Sequence, residues 1–176
     1  MPYKGMTAEN AAMPLIRRLT AEDAGAFRAI RREALAEAPS AFASTLADFE
    51  TLSDETIAGM LTDLVVFATF RDGTPVGLMG LAPNKPSKMA HRANLIMVYV
   101  RASERGGRLA EALLEAVTAE ARAMGLRQLE LAATVENAAA LAFYRRQGFA
   151  EVGRIPAGFL HEGREIDEIL MMRRIA

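Results

Sequence analysis

The stretch from Leu95 to Phe149 constrains the fold more than any other part of this sequence. It begins with the apolar run LIMVYV at residues 95–100 and passes through a short polar loop to Arg105-Gly106-Gly107-Arg108. Apolar residues then recur at helical spacing from Leu109 to Met124, and Gly125 follows, where a left-handed helix cap belongs. A second strand at residues 128–134 and a second helix at residues 137–148 complete the pattern. The predicted order is strand, glycine-containing loop, helix, strand, helix.

The loop before the first of these helices has the chemistry of an anion-binding turn. A helix N-terminus carries unpaired N–H groups and a partial positive charge. Gly106 and Gly107 let the backbone approach a ligand closely, and Arg105 and Arg108 add cationic donors. These features suit a phosphate or pyrophosphate, although the sequence has neither a Walker loop nor the G-x-G-x-x-G fingerprint of dinucleotide-binding folds. A basic turn without a ligand is the alternative, and the loop alone does not decide between the two.

A second motif favours the anion-binding interpretation of this loop. Residues 136–149, ENAAALAFYRRQGF, resemble motif B of the GNAT superfamily of acetyl-CoA-dependent N-acetyltransferases, whose pattern is N-x-x-A-x-x-F-Y-x-x-x-G-F. The matching residues are Asn137, Ala140, Phe143, Tyr144, Gly148 and Phe149. The upstream loop is similar to the family's motif A, [Q/R]-x-x-G-x-[G/A], at Arg105 and Ala110, but Arg108 stands where the family usually has glycine. The resemblance covers residue 15 to about residue 175.

The resemblance implies an α/β (α+β) fold in one domain, residues 15–176. This is a GNAT-like mixed, mostly antiparallel sheet of six to seven strands, with helices on both faces and a splayed gap between strands 4 and 5. The sequence signals agree with the order β-α-α-β-β-β-α-β-α-β-β, including a capping-box helix start at Thr20 and Asp23 and a hairpin turn at Asp72-Gly73. Residues 1–14 are predicted to be a flexible N-terminus.

Three further segments were assigned from local patterns. Residues 39–52 are predicted to be a loop, which by the resemblance would help to wall the acceptor site; the alternative is that its apolar side chains only fill the core. Strands are predicted at residues 150–154 and 165–175, with residues 158–163 in the hairpin between them.

The resemblance also implies a function, which is transfer of an acetyl group from acetyl-CoA to a primary amine of a small molecule, peptide or protein. The amine would attack the thioester directly in a ternary complex. Tyr144 would act as the general acid toward the CoA thiolate, although a packing role for its ring is the alternative. Asn137 would cap its helix and bind the pantetheine arm. The residues expected to bind acetyl-CoA are Val98, Tyr99, Val100, Arg105, Gly106, Gly107, Arg108, Leu109, Ala110, Asn137, Ala140, Phe143 and Tyr144.

The general base is not evident in the sequence. Several family members have a glutamate early on the fourth strand, but the equivalent position here is Asn94, which cannot accept a proton at neutral pH. His91, Glu130, Glu168 and an ordered water remain as candidates. Two other classes of function stay open, a non-catalytic acyl-CoA sensor on the same fold and a binding domain without a nucleotide ligand.

Composition narrows the remaining classes. With 176 residues, 51% of them hydrophobic, the chain is long enough for one well-packed domain. A net charge of −1 gives no reason to expect a nucleic acid or an anionic membrane as partner. The absence of cysteine excludes a disulfide framework, a thiolate metal site and a cysteine nucleophile, and we expect no metal cofactor. Without a long apolar run or a secretory leader, a cytoplasmic location is the expectation; whether the chain forms a homodimer is left open.

Overall fold

One seven-stranded sheet forms the centre of the protein. The computed structural model describes residues 14–176, so the segment predicted to be flexible, residues 1–14, lies outside the described residues except for Pro14. The strands are β1 (Leu15–Arg18), β2 (Val65–Arg71), β3 (Thr74–Pro83), β4 (Arg92–Val100), β5 (Gln128–Thr134), β6 (Ala150–His161) and β7 (Arg164–Arg174). Their order in the sheet is β1-β2-β3-β4-β5-β7-β6, and every neighbouring pair is antiparallel except β4 and β5.

Helices cover both faces of this sheet. They are α1 (Ala24–Glu37), α2 (Leu46–Glu50), α3 (Asp54–Asp63), α4 (Leu109–Ala123) and α5 (Ala138–Arg146). One hydrophobic core packs α4 and α5 against the sheet, with Leu113 and Leu141 among its buried residues. A second core packs α1, α2 and α3 against the other face, with Phe27, Phe49 and Ile57 buried. The predicted fold class is confirmed.

Two segments predicted from local sequence signals, the hairpin turn at Asp72-Gly73 and the helix start at Thr20 and Asp23, form in the structure. Asp72 and Gly73 both have positive φ, 50° and 77°, as a two-residue hairpin between β2 and β3 requires. The Asp23 carboxylate accepts a hydrogen bond from the Thr20 N–H at 2.8 Å, which satisfies a donor at the entry to α1. These contacts are local in sequence, which is why short-range patterns predict them.

The splayed gap predicted between strands 4 and 5 is present. Parallel pairing of β4 and β5 is limited to Arg92 with Gln128, Ala93 with Leu129 and Asn94 with Glu130, after which the strands separate. On its other side β4 carries a bulge, where two residues, Met97 and Val98, oppose one residue of β3. The bulged residue Met97 has a φ of 57°, and a bulge of this kind disrupts the ladder and turns backbone groups away from it.

Two predicted segments were wrong in detail. The supposed loop at residues 39–52 contains the short helix α2, whose first N–H groups are capped by Thr45: its Oγ1 accepts from the Asp48 N–H at 3.0 Å. The strand predicted at residues 150–154 continues to His161, so the β6–β7 turn is confined to Glu162 and Gly163. Pro156 is tolerated within β6 because this strand lies at the edge of the sheet, where a missing N–H costs no ladder hydrogen bond on the open side.

Candidate active site

A cleft of about 1200 Å³ opens where β4 and β5 separate. Its walls come from both faces of the sheet, with α1 and the turn after it on one side and the N-terminal ends of α4 and α5 on the other. The cleft brings together every residue predicted to bind acetyl-CoA except Gly107; those lining it are Val98, Tyr99, Val100, Arg105, Gly106, Arg108, Leu109, Ala110, Asn137, Ala140, Phe143 and Tyr144. Clefts beyond strand ends, at a point where the sheet topology changes, are the usual ligand sites of open α/β sheets.

The N-terminus of α4 supplies backbone donors to this cleft. Arg108, the N-cap residue, is left-handed with a φ of 62°, and no side chain among the described residues caps the helix. The first intrahelical bond runs from the Ala112 N–H to the Arg108 carbonyl, so the three preceding N–H groups, at residues 109–111, have no partner of this kind. Uncapped N–H groups at the start of a fifteen-residue helix form a site for an anion.

The two arginines of this loop have different roles in the structure. The Arg105 Nε donates to the Val100 carbonyl at 2.9 Å, which ties the loop to the end of β4. The Arg108 side chain is 84% exposed and its Nε donates to Glu111 at 2.8 Å. The guanidinium of Arg108 therefore lies along the first turn of α4, where it is free to leave an exposed ion pair of small energy.

Tyr144 is buried against the cleft. It is 5% exposed, and its ring packs edge-on between Phe143 and Phe149, with centroid separations of 5.3 and 5.5 Å. Its hydroxyl has no hydrogen-bond partner among residues 14–176, although a buried phenol usually has one. Burial raises the pKa of Tyr144 above its ordinary value, so the phenol keeps its proton at neutral pH. Because the residue lines the cleft, its hydroxyl is available as a hydrogen-bond donor to a ligand there.

Asn137 begins α5 in the predicted way. Its Oδ1 accepts the Ala140 N–H at 3.2 Å, which makes it the N-cap of the helix. The cap uses one lone pair of the amide oxygen, so the amide NH₂ group remains as a donor to a ligand. The half-buried Phe143, on the same helix, also lines the cleft.

Two of the candidate bases lie away from the cleft. His91 immediately precedes β4, at the end opposite to where β4 and β5 separate, and its carbonyl accepts the Arg127 N–H. Glu130 pairs with Arg92 at 3.0 Å and accepts a hydrogen bond from Gln128, at the end of the paired segment. Neither side chain lines the cleft, so the geometry gives neither a path to a substrate held there.

Glu168, on β7, does line the cleft. The other cleft carboxylates are all engaged: Glu104 pairs with Arg71, Glu111 with Arg108, Glu136 with Arg164, and Glu37 accepts the Tyr99 hydroxyl at 2.6 Å. Glu168 is half-buried and has no hydrogen-bond or ion-pair partner among the described residues. It is thus the acidic group of the cleft most available to accept a proton.

The Tyr99 side chain belongs to a network under α1 and contributes to the cleft mainly through its backbone. Its hydroxyl is 2.6 Å from Glu37 and 3.1 Å from Glu33, and Arg101 holds Glu33 with two bonds at 2.8 and 2.6 Å. Burial, followed by these two carboxylates, raises the pKa of Tyr99, whereas the Arg101 hydrogen bond lowers the pKa of Glu33. The network fixes the end of β4 to the helix above it.

Arg31 is the cleft residue that sequence reasoning missed. It lies on α1 with 5% exposure and borders the cleft from the face opposite to α4. The signal was present, because Arg31 falls within the apolar stripe Phe27, Ile30 and Ala34 of an otherwise core-facing helix surface. A charged residue at such a position needs an explanation in the folded protein.

Within residues 14–176, no group of three or more histidine, aspartate or glutamate side chains is arranged to hold a metal ion. In the same part of the chain, no helix combines the length and apolar character needed to cross a membrane.

Sequence and structure comparisons identify the class to which this fold and cleft belong. The model of the acetyltransferase (GNAT) family matches residues 27–149, most of the chain, and the protein therefore belongs to this family. The sequence is 35% identical over 91 residues to the IAA acetyltransferase of Azospirillum brasilense, a match that covers 52% of this chain and 58% of that protein. It is 39% identical over 74 residues to the L-methionine sulfoximine/L-methionine sulfone acetyltransferase of Pseudomonas aeruginosa, covering 42% and 43%. The chain thus spans about half the length of these curated relatives.

A solved structure extends the likeness to nearly the whole chain. The structure of yncA from Salmonella typhimurium, determined with its cofactor acetyl-CoA, superposes with a TM-score of 0.80 and covers 94% of this chain and 95% of the other. At 19% sequence identity this agreement concerns the fold.

Proposed function

We propose that this protein transfers an acetyl group from acetyl-CoA to the primary amine of a small molecule or peptide, by direct attack within a ternary complex. The observation that carries the proposal is the buried Tyr144 phenol, whose hydroxyl has no hydrogen-bond partner among the described residues, in a cleft that starts at the N-terminus of α4. Family membership and the acetyl-CoA in the Salmonella neighbour support the donor. The names of the two curated relatives favour a small-molecule acceptor.

The cleft residues fit the parts of such a donor. The unpaired N–H groups at the start of α4 suit a pyrophosphate. The bulge at Met97 frees backbone of β4 for a polar pantetheine arm and for an oxyanion that forms at a thioester carbonyl. At the far end, Tyr144 can donate its hydrogen bond to a sulfur leaving group. Because burial raises its pKa, the phenol is still protonated when the C–S bond breaks, and it can then donate its hydrogen bond to the departing thiolate.

The acceptor amine must lose a proton before or during attack. An amine of pKa ~10.4 is neutral in only about one molecule in 2,500 at pH 7. We assign this role to Glu168, since it is the cleft carboxylate without a competing partner among the described residues. It replaces Glu130 and His91 in the proposed mechanism, and Asn94 leaves the usual position of the family's glutamate without a base.

The test has a binding step and a kinetic step. Calorimetry with acetyl-CoA should give heat and a thermal shift, because a ligand at a hundredfold excess over its Kd stabilises the native state by about 2.7 kcal/mol. Tyr144→Phe should keep this affinity and lower kcat by about 10²–10⁴-fold with an amine that the parent acetylates. Tyr99→Phe removes a hydroxyl that donates to Glu33 and Glu37 of α1 on the other face of the sheet, and it should change kcat far less.

A non-catalytic acyl-CoA sensor is the second candidate, favoured by Asn94 in place of the glutamate. Binding of acetyl-CoA without release of free thiol for any amine would establish this candidate. Failure to bind acetyl-CoA would reject both readings.

A further inference from the structure

Arg31 lies in a position that costs the folded protein stability. Its residue is 5% exposed, its Nη1 is fully buried without a hydrogen-bond partner, and the side chain makes no ion pair among residues 14–176. Burial alone lowers the pKa of this guanidinium, to about 10, with no carboxylate acting in the opposite direction. A buried cation without a counter-charge is strongly disfavoured, so such a group calls for an anion that the described residues do not supply.

The surroundings of Arg31 prepare it to bind a ligand. The guanidinium lies 4.6 Å from the ring centroid of Phe42, a contact that holds its plane without using its N–H groups. Ser40 and Ser44, on the same wall of the cleft, have hydroxyls without a partner among the described residues. Glu33 and Glu37, the acidic residues that follow Arg31 on α1, make no ion pair with it: Arg101 binds Glu33, and Glu37 accepts a hydrogen bond from the Tyr99 hydroxyl.

Arg31 lies on the side of the cleft where we place the acceptor. It borders the gap from the α1 face, whereas the anion site at the start of α4 belongs to the opposite face of the sheet. A ligand group bound to Arg31 is therefore separate from the groups bound at α4. A planar guanidinium matches a carboxylate with two parallel N–H···O bonds, which a neutral amine or a peptide chain cannot offer.

We propose that Arg31 binds a carboxylate of the acceptor, so that the substrate is a small primary amine that also carries a carboxylate group. The inference rests on the acetyl transfer proposed above and narrows its acceptor class. It excludes a peptide N-terminus as the main acceptor, because the carboxyl group next to that amine is blocked as an amide. In the ligand-bound protein the carboxylate supplies the counter-charge that Arg31 lacks.

The test measures binding, so it does not depend on knowing the true substrate. Protein saturated with CoA, which cannot react, is titrated calorimetrically with the standard α-amino acids, β-alanine and 4-aminobutyrate, and with the corresponding carboxamides. The parent is compared with Arg31→Gln and with Arg32→Gln. Arg32 is the matched control, because it removes the same charge from the same helix at an exposed site paired with Glu50.

We expect at least one acid to bind the parent about tenfold to a hundredfold more tightly than its amide, which is the range for hydrogen bonds to a charged group. Arg31→Gln should abolish this preference and Arg32→Gln should keep it, with CoA affinity equal in all three. A second readout is the melting temperature of the free protein, which should be unchanged or higher in Arg31→Met because an unpaired buried charge is removed.

Each other outcome counts against the proposal. Equal binding of acids and amides, or no binding of any acid to CoA-saturated parent, would reject a carboxylate site at Arg31. Loss of CoA affinity in Arg31→Gln would assign the arginine to the donor, and a large fall in the melting temperature of Arg31→Met would assign it to structure. If the parent does not bind CoA at all, it is the proposed acetyl transfer that fails.

Discussion

Arg108 allows a prediction in which backbone strain can be separated from charge. The residue has a φ of 62° at the start of α4, in the left-handed region where a Cβ meets the following carbonyl. Its guanidinium contributes only an exposed ion pair with Glu111. Arg108→Ala and Arg108→Gly both remove that ion pair, so the difference in their free energies of unfolding measures the cost of the left-handed backbone at this position.

The magnitude follows from two opposing terms. Alanine in a left-handed conformation costs roughly 1–2 kcal/mol, and glycine does not incur this cost. Glycine loses more conformational freedom on folding, which costs roughly 0.5–1 kcal/mol relative to alanine. The glycine variant should therefore unfold with a free energy about 0.5–1 kcal/mol higher than that of the alanine variant, taking the centre of both ranges. For a domain of this size, that is a difference in melting temperature of about 1–4 °C.

Urea unfolding of both variants at pH 7 measures this difference, and the loop supplies its own control. Gly106 has a φ of 85°, so Gly106→Ala should destabilise, whereas Gly107 is not left-handed and has only an ordinary contact with the Glu104 carbonyl at the position of an added Cβ. Gly107→Ala should be neutral or slightly stabilising. An alanine variant at position 108 as stable as the glycine variant would refute the left-handed start of α4.

The same variants report on the role of the Arg108 side chain toward the donor. If the guanidinium leaves Glu111 to contact a phosphate, both variants should bind acetyl-CoA about tenfold to a hundredfold more weakly, and the loss should shrink at high salt. Equal affinity of the parent and both variants at low and high salt would show that Arg108 only begins the helix.

Two further predictions concern a carboxylate in the cleft and one outside it. Glu168→Gln should lower kcat/KM at pH 7 by about 10²–10⁴-fold. The activity of this variant should approach that of the parent as the pH approaches the pKa of the acceptor amine, because a neutral amine no longer needs a base. Parallel pH–rate profiles of the two proteins would exclude Glu168 as the base. Arg17 binds Asp23 with two bonds at 2.8 and 2.7 Å and lowers the pKa of that carboxyl to about 2. Since the folded pKa is depressed, this contribution to stability is complete above the unfolded pKa of about 3.9 and is lost as the pH falls toward 2. The difference in unfolding free energy between parent and Asp23→Asn should therefore shrink over that interval, and a constant difference from pH 7 to pH 2 would contradict the assignment.

The parts of the fold that the sequence predicts are those with short-range causes. The turn at Asp72-Gly73 needs two residues that tolerate positive φ, and the sequence provides them next to each other. Thr45 and Asp48 carry an equally local signal for α2, the capping box at its N-terminus. The continuation of β6 through Pro156 could not be predicted locally, since proline is permitted there by the position of the strand at the sheet edge and by the break in the β6–β7 register between Ile155 and Phe159.

The candidate site also contains features with a local sequence signal and features that depend on distant parts of the chain. Asn137 and Tyr144 lie in one short motif, whose resemblance to motif B of the family implied their place at the site, and both line the cleft. The bulge at Met97 has no local signature and depends on how β4 pairs with β3. Selecting Glu168 over Glu130 required knowing which carboxylates have partners, and those partners come from distant parts of the chain.

Tyr144 and Arg31 together mark the two halves of the cleft by the same physical property. Each is about 5% exposed, each carries a polar group without a partner among the described residues, and each borders the gap between β4 and β5 from a different face of the sheet. Burying an unpaired cation lowers stability, and an apolar residue of similar size would serve the fold better at position 31. Two such groups facing one cleft therefore identify it as a place where ligand atoms complete the hydrogen bonding. Their chemistry also indicates which substrate each half of the cleft binds. A neutral phenol suits the thiolate that leaves the donor, and a guanidinium suits a permanent anion on the acceptor that attacks the thioester.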